Sequence, residues 1–493
     1  MMTISTVIYG PPGCGKSTEI IRRMDQAISR GVPIDRIGLV SFTRAAAQEL
    51  AKRAGVRPGR NISTIHSYAF RLAGMVKEQV VDRLKLREFS RVSKIETTGA
   101  GVYDQESLGP GDYYLAMYSY MRSVMLTDTR EAFYAGGRVG SLVEFQYFIK
   151  VYQQWKEANG YMDFADMLDA ALRADPRDVG IDLLFLDEAQ DFSLMQWNLI
   201  HHWMPHIGEV VLALDDDQTL YKFNGAYPDG GTKFEERYGS ERIVLTQSHR
   251  IPSAVHRLAE TLIGHVTDRV EKVYLPRKEE GQVRMYGGLA MLPPVDPEEE
   301  TLILFRNHSM REEIEEWLMA GGVPYITDNG RPGPLQGRQA AAVRAWTGAQ
   351  RALKATGNLM IDPRQWSHMR QCAMPMYQRH FKAEEVESII DKPWWNVFYL
   401  APDIRTYLRA VEKAHGGIPL GTKIHLSTIH GAKGREADRV ILLNGMSDRT
   451  AEAYTQDPDT EIRTFYVGVT RTKEKLDIVA ADNPLSLINV SVR

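Results

Sequence analysis

Gly10-Pro11-Pro12-Gly13-Cys14-Gly15-Lys16-Ser17 constrains this chain more than any other stretch. It fits G-x-x-x-x-G-K-[ST], a loop that functions between a strand and a helix. The flanks supply both. Ile4, Val7, Ile8 and Tyr9 read as a short buried strand, and Ile20, Ile21, Met24 and Ile28 recur at helical spacing. In such a loop backbone N–H groups curl around phosphate oxygens, and the helix N-terminus adds favourable partial positive charge. Lys16 is placed to reach the β- and γ-phosphates, and Ser17 to ligate Mg²⁺. A nucleoside triphosphate bound to an α/β domain is expected. The loop alone leaves the use of hydrolysis open, because kinases, GTPases and motors share it.

The chain has 493 residues, enough for about three or four domains. At 43% hydrophobic and 25% charged its composition is that of a globular protein. A net charge of −3 gives no global basic field, so any nucleic-acid site must be a local groove. Cys14 and Cys372 are the only cysteines. That excludes a disulfide framework and suits a reducing, cytoplasmic setting. The N-terminal apolar run is short and ends in the glycine loop, unlike a signal peptide. No apolar run is long enough to span a bilayer, so no membrane partner is expected.

Further strands place further candidates. Arg36 to Phe42 reads as a second buried strand, and Phe42-Thr43-Arg44 sits at its C-terminal edge, where open α/β sheets place ligands. Thr64-Ile65-His66-Ser67 leads into an apolar helix; alone, His66 reads as a structural histidine. Residues 75–159 read as a helical insertion rich in Tyr, Arg and Gly, closed by Asp163-Phe164-Ala165-Asp166-Met167-Leu168. Leu183 to Leu186 is a continuous apolar run, typical of a parallel strand buried on both faces. It delivers Asp187 as a second Mg²⁺ anchor and Glu188 as the base for an attacking water. The strand Glu209 to Leu214 ends in Asp215-Asp216-Asp217-Gln218. Those carboxylates suggest a metal site; alternatively, Gln218 contacts the γ-phosphate or the water. Tyr221 and Phe223 just beyond are able to stack on a base.

A second sheet is expected to begin near Arg242, with strands at 243–245 and 301–305, and Arg250 between them. A second insertion opens at Asn329-Gly330-Arg331 and runs to about Gly421. Its basic residues, among them Arg344, Arg351, Lys354, Arg364 and Arg370, are interleaved with Trp346, Trp366, Tyr377 and Phe381. Both a phosphate-tracking surface and a solvated face over core aromatics fit that pattern. Thr428-Ile429-His430-Gly431-Ala432-Lys433-Gly434-Arg435-Glu436 then precedes a buried strand at 440–443. Arg471, after Tyr466-Val467-Gly468-Val469-Thr470, is placed like an arginine finger.

In order, GPPGCGKS, SFTRAAAQEL, STIHSYAFRL, DFADML, LDEAQD, LDDDQTLYKFNGA, LTQSHR, STIHGAKGREADRVILLNG and RTFYVGVTRTKEKL make a set. It resembles the motifs of the superfamily 1 DNA helicases of the UvrD/Rep/PcrA group across nearly the whole chain. The resemblance implies two RecA-like motor domains with parallel sheets flanked by helices, and ATP in the cleft between them. Their expected limits are 1–74 with 160–240, and 241–330 with 421–493; the insertions are 75–159 and a basic, short 331–420.

The resemblance also assigns roles. Gly10 to Thr18 hold the nucleotide, with Lys16 on phosphate and Ser17 and Asp187 on Mg²⁺. Glu188 activates water and Gln218 senses the γ-phosphate. Arg250 and Arg471 reach over from the second motor domain, and Glu436 meets the ribose. Phe42, Thr43, His66, Tyr221, Phe223, Thr428 and His430 contact single-stranded DNA. The implied activity is 3′→5′ translocation with duplex unwinding at single-strand/duplex junctions; the rivals are a DNA-stimulated ATPase that does not separate strands and a metabolic kinase. Departures are Arg44 for the usual Asn, Leu214 for a Gly, Thr18 for an adenine-stacking Arg and His249 for a Tyr. A glutamine-bearing segment before the first strand is not expected either, so weak discrimination among nucleotide bases follows.

Overall fold

The structure is a computed structural model that describes residues 3–41, 44–55, 61–99, 109–135, 140–328, 332–359, 361–382, 385–481 and 486–488. Phe42, Thr43 and Arg331 lie outside the described residues. The chain forms two compact units. One comprises Met1–Glu280 with Glu452–Thr470, the other Gly281–Ala451 with Arg471–Arg493.

The first unit holds a six-stranded parallel sheet of β1 (Ile4–Tyr9), β2 (Ile37–Ser41), β3 (Ile62–Thr64), β4 (Leu183–Asp187), β5 (Glu209–Leu214) and β6 (Glu241–Val244). Their order is β3-β2-β4-β5-β1-β6. Strands β1, β2, β4 and β5 are nearly all buried because helices cover both faces, which is why they read as unbroken apolar runs. Register pairs Ser41 with Asp187, Asp187 with Ala213, and Tyr9 with Leu214. Four strands therefore end at one edge, and each delivers its following loop there.

β6 departs from expectation. It belongs to the first sheet, pairing parallel with β1 from Thr6↔Glu241 to Tyr9↔Val244. The Leu245 N–H continues the ladder onto the Tyr9 carbonyl at 2.8 Å. The helix Ser253–Ile263 and the helix Pro458–Val469 pack together in this same unit.

Between Met75 and Asn159 the described residues contain helices and no strand. The tyrosines there join phenylalanines and a tryptophan in a separate aromatic core: Phe89, Tyr114, Tyr118, Phe145, Phe148, Tyr152 and Trp155. Lys156, nearly buried, bonds Asp163 at 2.6 Å and Asp166 at 2.5 Å, fastening this insertion to the helix Phe164–Arg173.

The second unit holds β7 (Gln282–Tyr286), β8 (Thr301–Phe305), β9 (Ile326–Thr327), β10 (Ile424–Thr428), β11 (Ala437–Asn444) and β12 (Thr472–Ala480). This sheet is also wholly parallel, ordered β7-β12-β11-β8-β10-β9. Among its described residues, the insertion packs into the core of the sheet. Trp346, Phe381, Trp394 and Phe398 share one apolar cluster with Ile303, Phe305, Ile424 and Ile441 of the sheet. Of the two readings of the interleaved aromatics, core packing holds for Trp346 and Phe381. Arg344 donates to the carbonyls of Leu335 and Pro419, both at 3.0 Å, and so braces the fold. Among the described residues no helix is long and apolar enough to cross a membrane.

Candidate nucleotide and nucleic-acid site

The glycine loop leaves β1 at the edge where β4 and β5 end. Gly13 and Gly15 have φ of +76° and +85°, a region that L side chains rarely adopt. A Cβ on Gly13 would also lie 2.6 Å from the Arg250 Cβ. Gly15 opens the helix Lys16–Ser29, so Lys16 and Ser17 stand at its positive end. The Lys16 ammonium is buried and donates to the Gly10 carbonyl at 2.5 Å. Burial pushes the Cys14 thiol up to about 12, so Cys14 sits in the loop as a neutral side chain.

Asp187 is the last residue of β4 and is buried. Glu188 follows in the left-handed region at φ 55°, a conformation that costs a non-glycine residue about 1–3 kcal/mol. Such strain persists where surrounding bonds impose it, and here they are visible. The Gln190 amide donates to Glu188 Oε2 at 2.5 Å, while its carbonyl oxygen accepts from the Asp215 N–H at 3.1 Å. Gln218 in turn donates to Asp215 Oδ2 at 2.7 Å. Gln190 lies within LDEAQD, yet its linking role depends on β4 and β5 being neighbours.

The metal-site alternative for Asp215-Asp216-Asp217 is not realised. Among the described residues no group of His, Cys, Asp and Glu is arranged to hold a metal ion. A buried lysine occupies the centre instead. Lys272 Nζ lies 3.3 Å from Asp215 and 3.0 Å from Asp217, and it also bonds Asp216. Ser17 and Asp187 are a better match to Mg²⁺. They offer one hydroxyl and one carboxylate, the sparse oxygen set that leaves other positions for water and phosphate oxygens.

Arg250 belongs to the first unit, which corrects its expected place on the second. After β6 the chain runs along the glycine loop: the His249 N–H donates to the Gly13 carbonyl at 2.9 Å, and the Ser248 hydroxyl to the Pro12 carbonyl at 3.0 Å. Arg471 lies in the second unit, 2% exposed, with its guanidinium 3.4 Å from the Arg435 carbonyl. Glu436, the residue after Arg435, is exposed. Thr428 ends β10, and its hydroxyl accepts the Gly431 N–H at 3.0 Å, closing the turn that carries His430.

Thr64 caps the helix Ile65–Leu72, accepting the Ser67 N–H at 3.3 Å and presenting His66 in the first turn. The His66 ring meets Phe164 edge-on at 5.1 Å and 70°. Burial lowers its pKa to about 4, so it is a neutral ring at physiological pH. Phe164 is 57% exposed, and sequence reasoning does not single it out. The available signal is an aromatic just after the capping Asp163, where a helix has little to bury it against. Tyr221 and Phe223 meet edge-on at 5.9 Å in the turn after Gln218.

A phosphate loop with a carboxylate pair one strand removed on the same sheet edge, in a chain with two parallel six-stranded α/β sheets, is the design of a two-domain RecA-like P-loop ATPase. Comparison with known proteins narrows this. The UvrD/REP helicase N-terminal domain matches residues 2–239, and the UvrD-like helicase C-terminal domain matches residues 405–483. ATP-dependent DNA helicase UvrD2 of Mycobacterium tuberculosis is 24% identical, over 94% of this chain and 75% of its own length. DNA helicase II of Escherichia coli is 26% identical over 65% of this chain and 48% of its own. ATP-dependent DNA helicase PcrA of Bacillus subtilis is 22% identical over 64% and 47%. The chain belongs to the UvrD/Rep/PcrA family of superfamily 1 helicases.

Proposed function

We propose that this chain is an ATP-driven DNA helicase that moves 3′→5′ on single-stranded DNA and separates duplex at junctions. The observation that carries the ATPase half is Glu188, strained at the end of β4 and bonded through Gln190 to the same Asp215 that holds Gln218. A carboxylate so fixed takes the proton of a water as its oxygen attacks the γ-phosphorus and the bond to the bridging oxygen breaks. Lys16 binds the phosphates, Gln218 reports the γ-phosphate, and Arg250 and Arg471 stabilise charge on the transferred group. Ser17 and Asp187 would hold Mg²⁺, which supplies charge neutralisation on the phosphate oxygens when bound.

The DNA half rests on family membership and on aromatic rings that are exposed or half-buried. His66, Phe164, Tyr221 and Phe223 suit base stacking, worth about 1–3 kcal/mol per base, and Phe42, Thr43, Thr428 and His430 complete the assigned contacts. Partial duplexes with opposite tails test direction: unwinding from a 3′ tail is expected, and unwinding only from a 5′ tail overturns it. DNA-stimulated ATP hydrolysis without any strand separation would favour the translocase or switch reading.

A second reading concerns the base. Arg53 Nη2 donates to the Thr18 hydroxyl at 2.9 Å, which brings a guanidinium to the position where the resemblance expects a stacking Arg. Arg53 therefore stands as a replacement base contact, against the expectation of weak discrimination. The DNA-stimulated kcat/KM for ATP, GTP, CTP and UTP decides: a preference of about a hundredfold for ATP that Arg53→Ala abolishes supports it.

A further inference from the structure

We propose that Lys272 is a positioning residue for hydrolysis, holding Asp215 so that Gln218 and, through Gln190, Glu188 are set beside the phosphate loop. The inference rests on the ATPase reading above. Residues 269–275 form a strap within the first unit. Lys272 and Tyr274 point inward, while Val273 and Leu275 are 60% and 46% exposed. Leu275 exchanges backbone hydrogen bonds with Thr246 and Ser248, both at 2.8 Å, and the Tyr274 hydroxyl donates to the Pro12 carbonyl at 3.0 Å. The strap thus touches the glycine loop at one residue and the Asp215–Asp217 turn two residues earlier.

The charges explain why a lysine is needed. Three adjacent carboxylates, all buried, repel one another unless a cation sits among them. The Lys272 side chain is fully buried, which opposes its charge, but the carboxylates outweigh that and raise its pKa above the ordinary value. One oxygen of Asp215 is engaged by Lys272 and the other by Gln218, and its backbone N–H by Gln190. Without the ammonium, Asp215 is driven from its neighbours, and both links to the reacting end move with it. Arg269 provides an internal contrast. It bonds Asp217 through both oxygens, at 2.9 and 2.5 Å, and makes no ion pair with Asp215 among the described residues.

The test uses the full chain as wild type, Lys272→Gln, Arg269→Gln and Asp217→Asn/Lys272→Gln. The last removes one charge of each sign and carries the test if Lys272→Gln does not fold. Melting temperature, the Kd of a non-hydrolysable ATP analogue, and single-stranded-DNA-stimulated kcat and KM are measured. Loss of Lys272 should lower kcat about tenfold or more with KM and analogue Kd within about threefold, because binding groups stay in place. Arg269→Gln should lower the melting temperature with kcat within about twofold of wild type. Unchanged kcat without Lys272, or equal kcat losses in the Arg269 and Lys272 variants, overturns the inference. A wild type that lacks DNA-stimulated turnover refutes the ATPase reading instead, which separates the two failures.

Discussion

β4 of the first sheet ends at Asp187 and passes straight to Glu188, whereas β10 of the second ends at Thr428 and passes to Ile429 and His430. Both sheets have six parallel strands with helical cover. The loops differ. On the first, glycines, carboxylates and Gln218 converge, braced by Lys272. On the second, β8 and β11 lead into Arg306-Asn307-His308 and Gly445-Met446-Ser447, and β10 leads through the His430 turn to Glu436, with no cluster of carboxylates like that of Asp187, Glu188 and Asp215–Asp217 among these loops. One architecture therefore carries two different sets of loops, and under the proposed function the first serves mainly chemistry and the second mainly DNA binding. The insertions differ too: that of the first unit has its own aromatic core, while that of the second shares the core of its sheet.

Arg471 tests this contrast most severely, since it is the second unit's assigned contribution to chemistry. Arg471→Ala should reduce DNA-stimulated kcat by about 10³-fold or more with analogue Kd little changed. A loss confined to DNA affinity would make the second unit purely a binding element. Gln190 sharpens the other side. Gln190→Leu removes the bond to Glu188 and should lower kcat about tenfold at constant Kd, read by single-turnover kinetics. Phe164→Ala should weaken single-stranded DNA binding by about 1–3 kcal/mol without altering DNA-free turnover, read by fluorescence titration.

The smallest expected effect concerns the second insertion. Arg344 and Arg351 serve backbone carbonyls, so neutralising them would confound folding with binding. Lys354, Arg364 and Arg370 are exposed and avoid that fault. If this insertion tracks duplex phosphates, Lys354→Gln/Arg364→Gln/Arg370→Gln should flatten the dependence of log K on log salt by about 0.9 for each phosphate no longer neutralised. An unchanged slope assigns these residues to a solvated face.

The meeting of the glycine loop with the Glu188 and Gln218 turns at one edge of the first sheet was legible in the sequence because its parts are local. A glycine loop, a buried run ending in Asp187-Glu188 and another ending before Gln218 each declare themselves within a short stretch. What escaped depends on distant pairing. Ile243 and Val244 are a short apolar run that fits either sheet, and β1, near the start of the chain, decides the matter. Lys272 has no local signal, since its carboxylates stand far before it in the chain, at 215–217. The same distance hid Arg250's place in the first unit and turned an apparent metal cluster into an ion-pair network. Phe42 and Thr43 remain assigned by the resemblance alone.

ATP turnover by wild type and Glu188→Gln, each titrated with single-stranded DNA, tests the central claim most directly. The account predicts a wild-type rate that climbs with DNA and saturates. It predicts a variant that binds the analogue as wild type does but turns over about 10²–10⁴-fold more slowly at every DNA concentration. Wild-type turnover indifferent to DNA, or unimpaired turnover in Glu188→Gln, would contradict it.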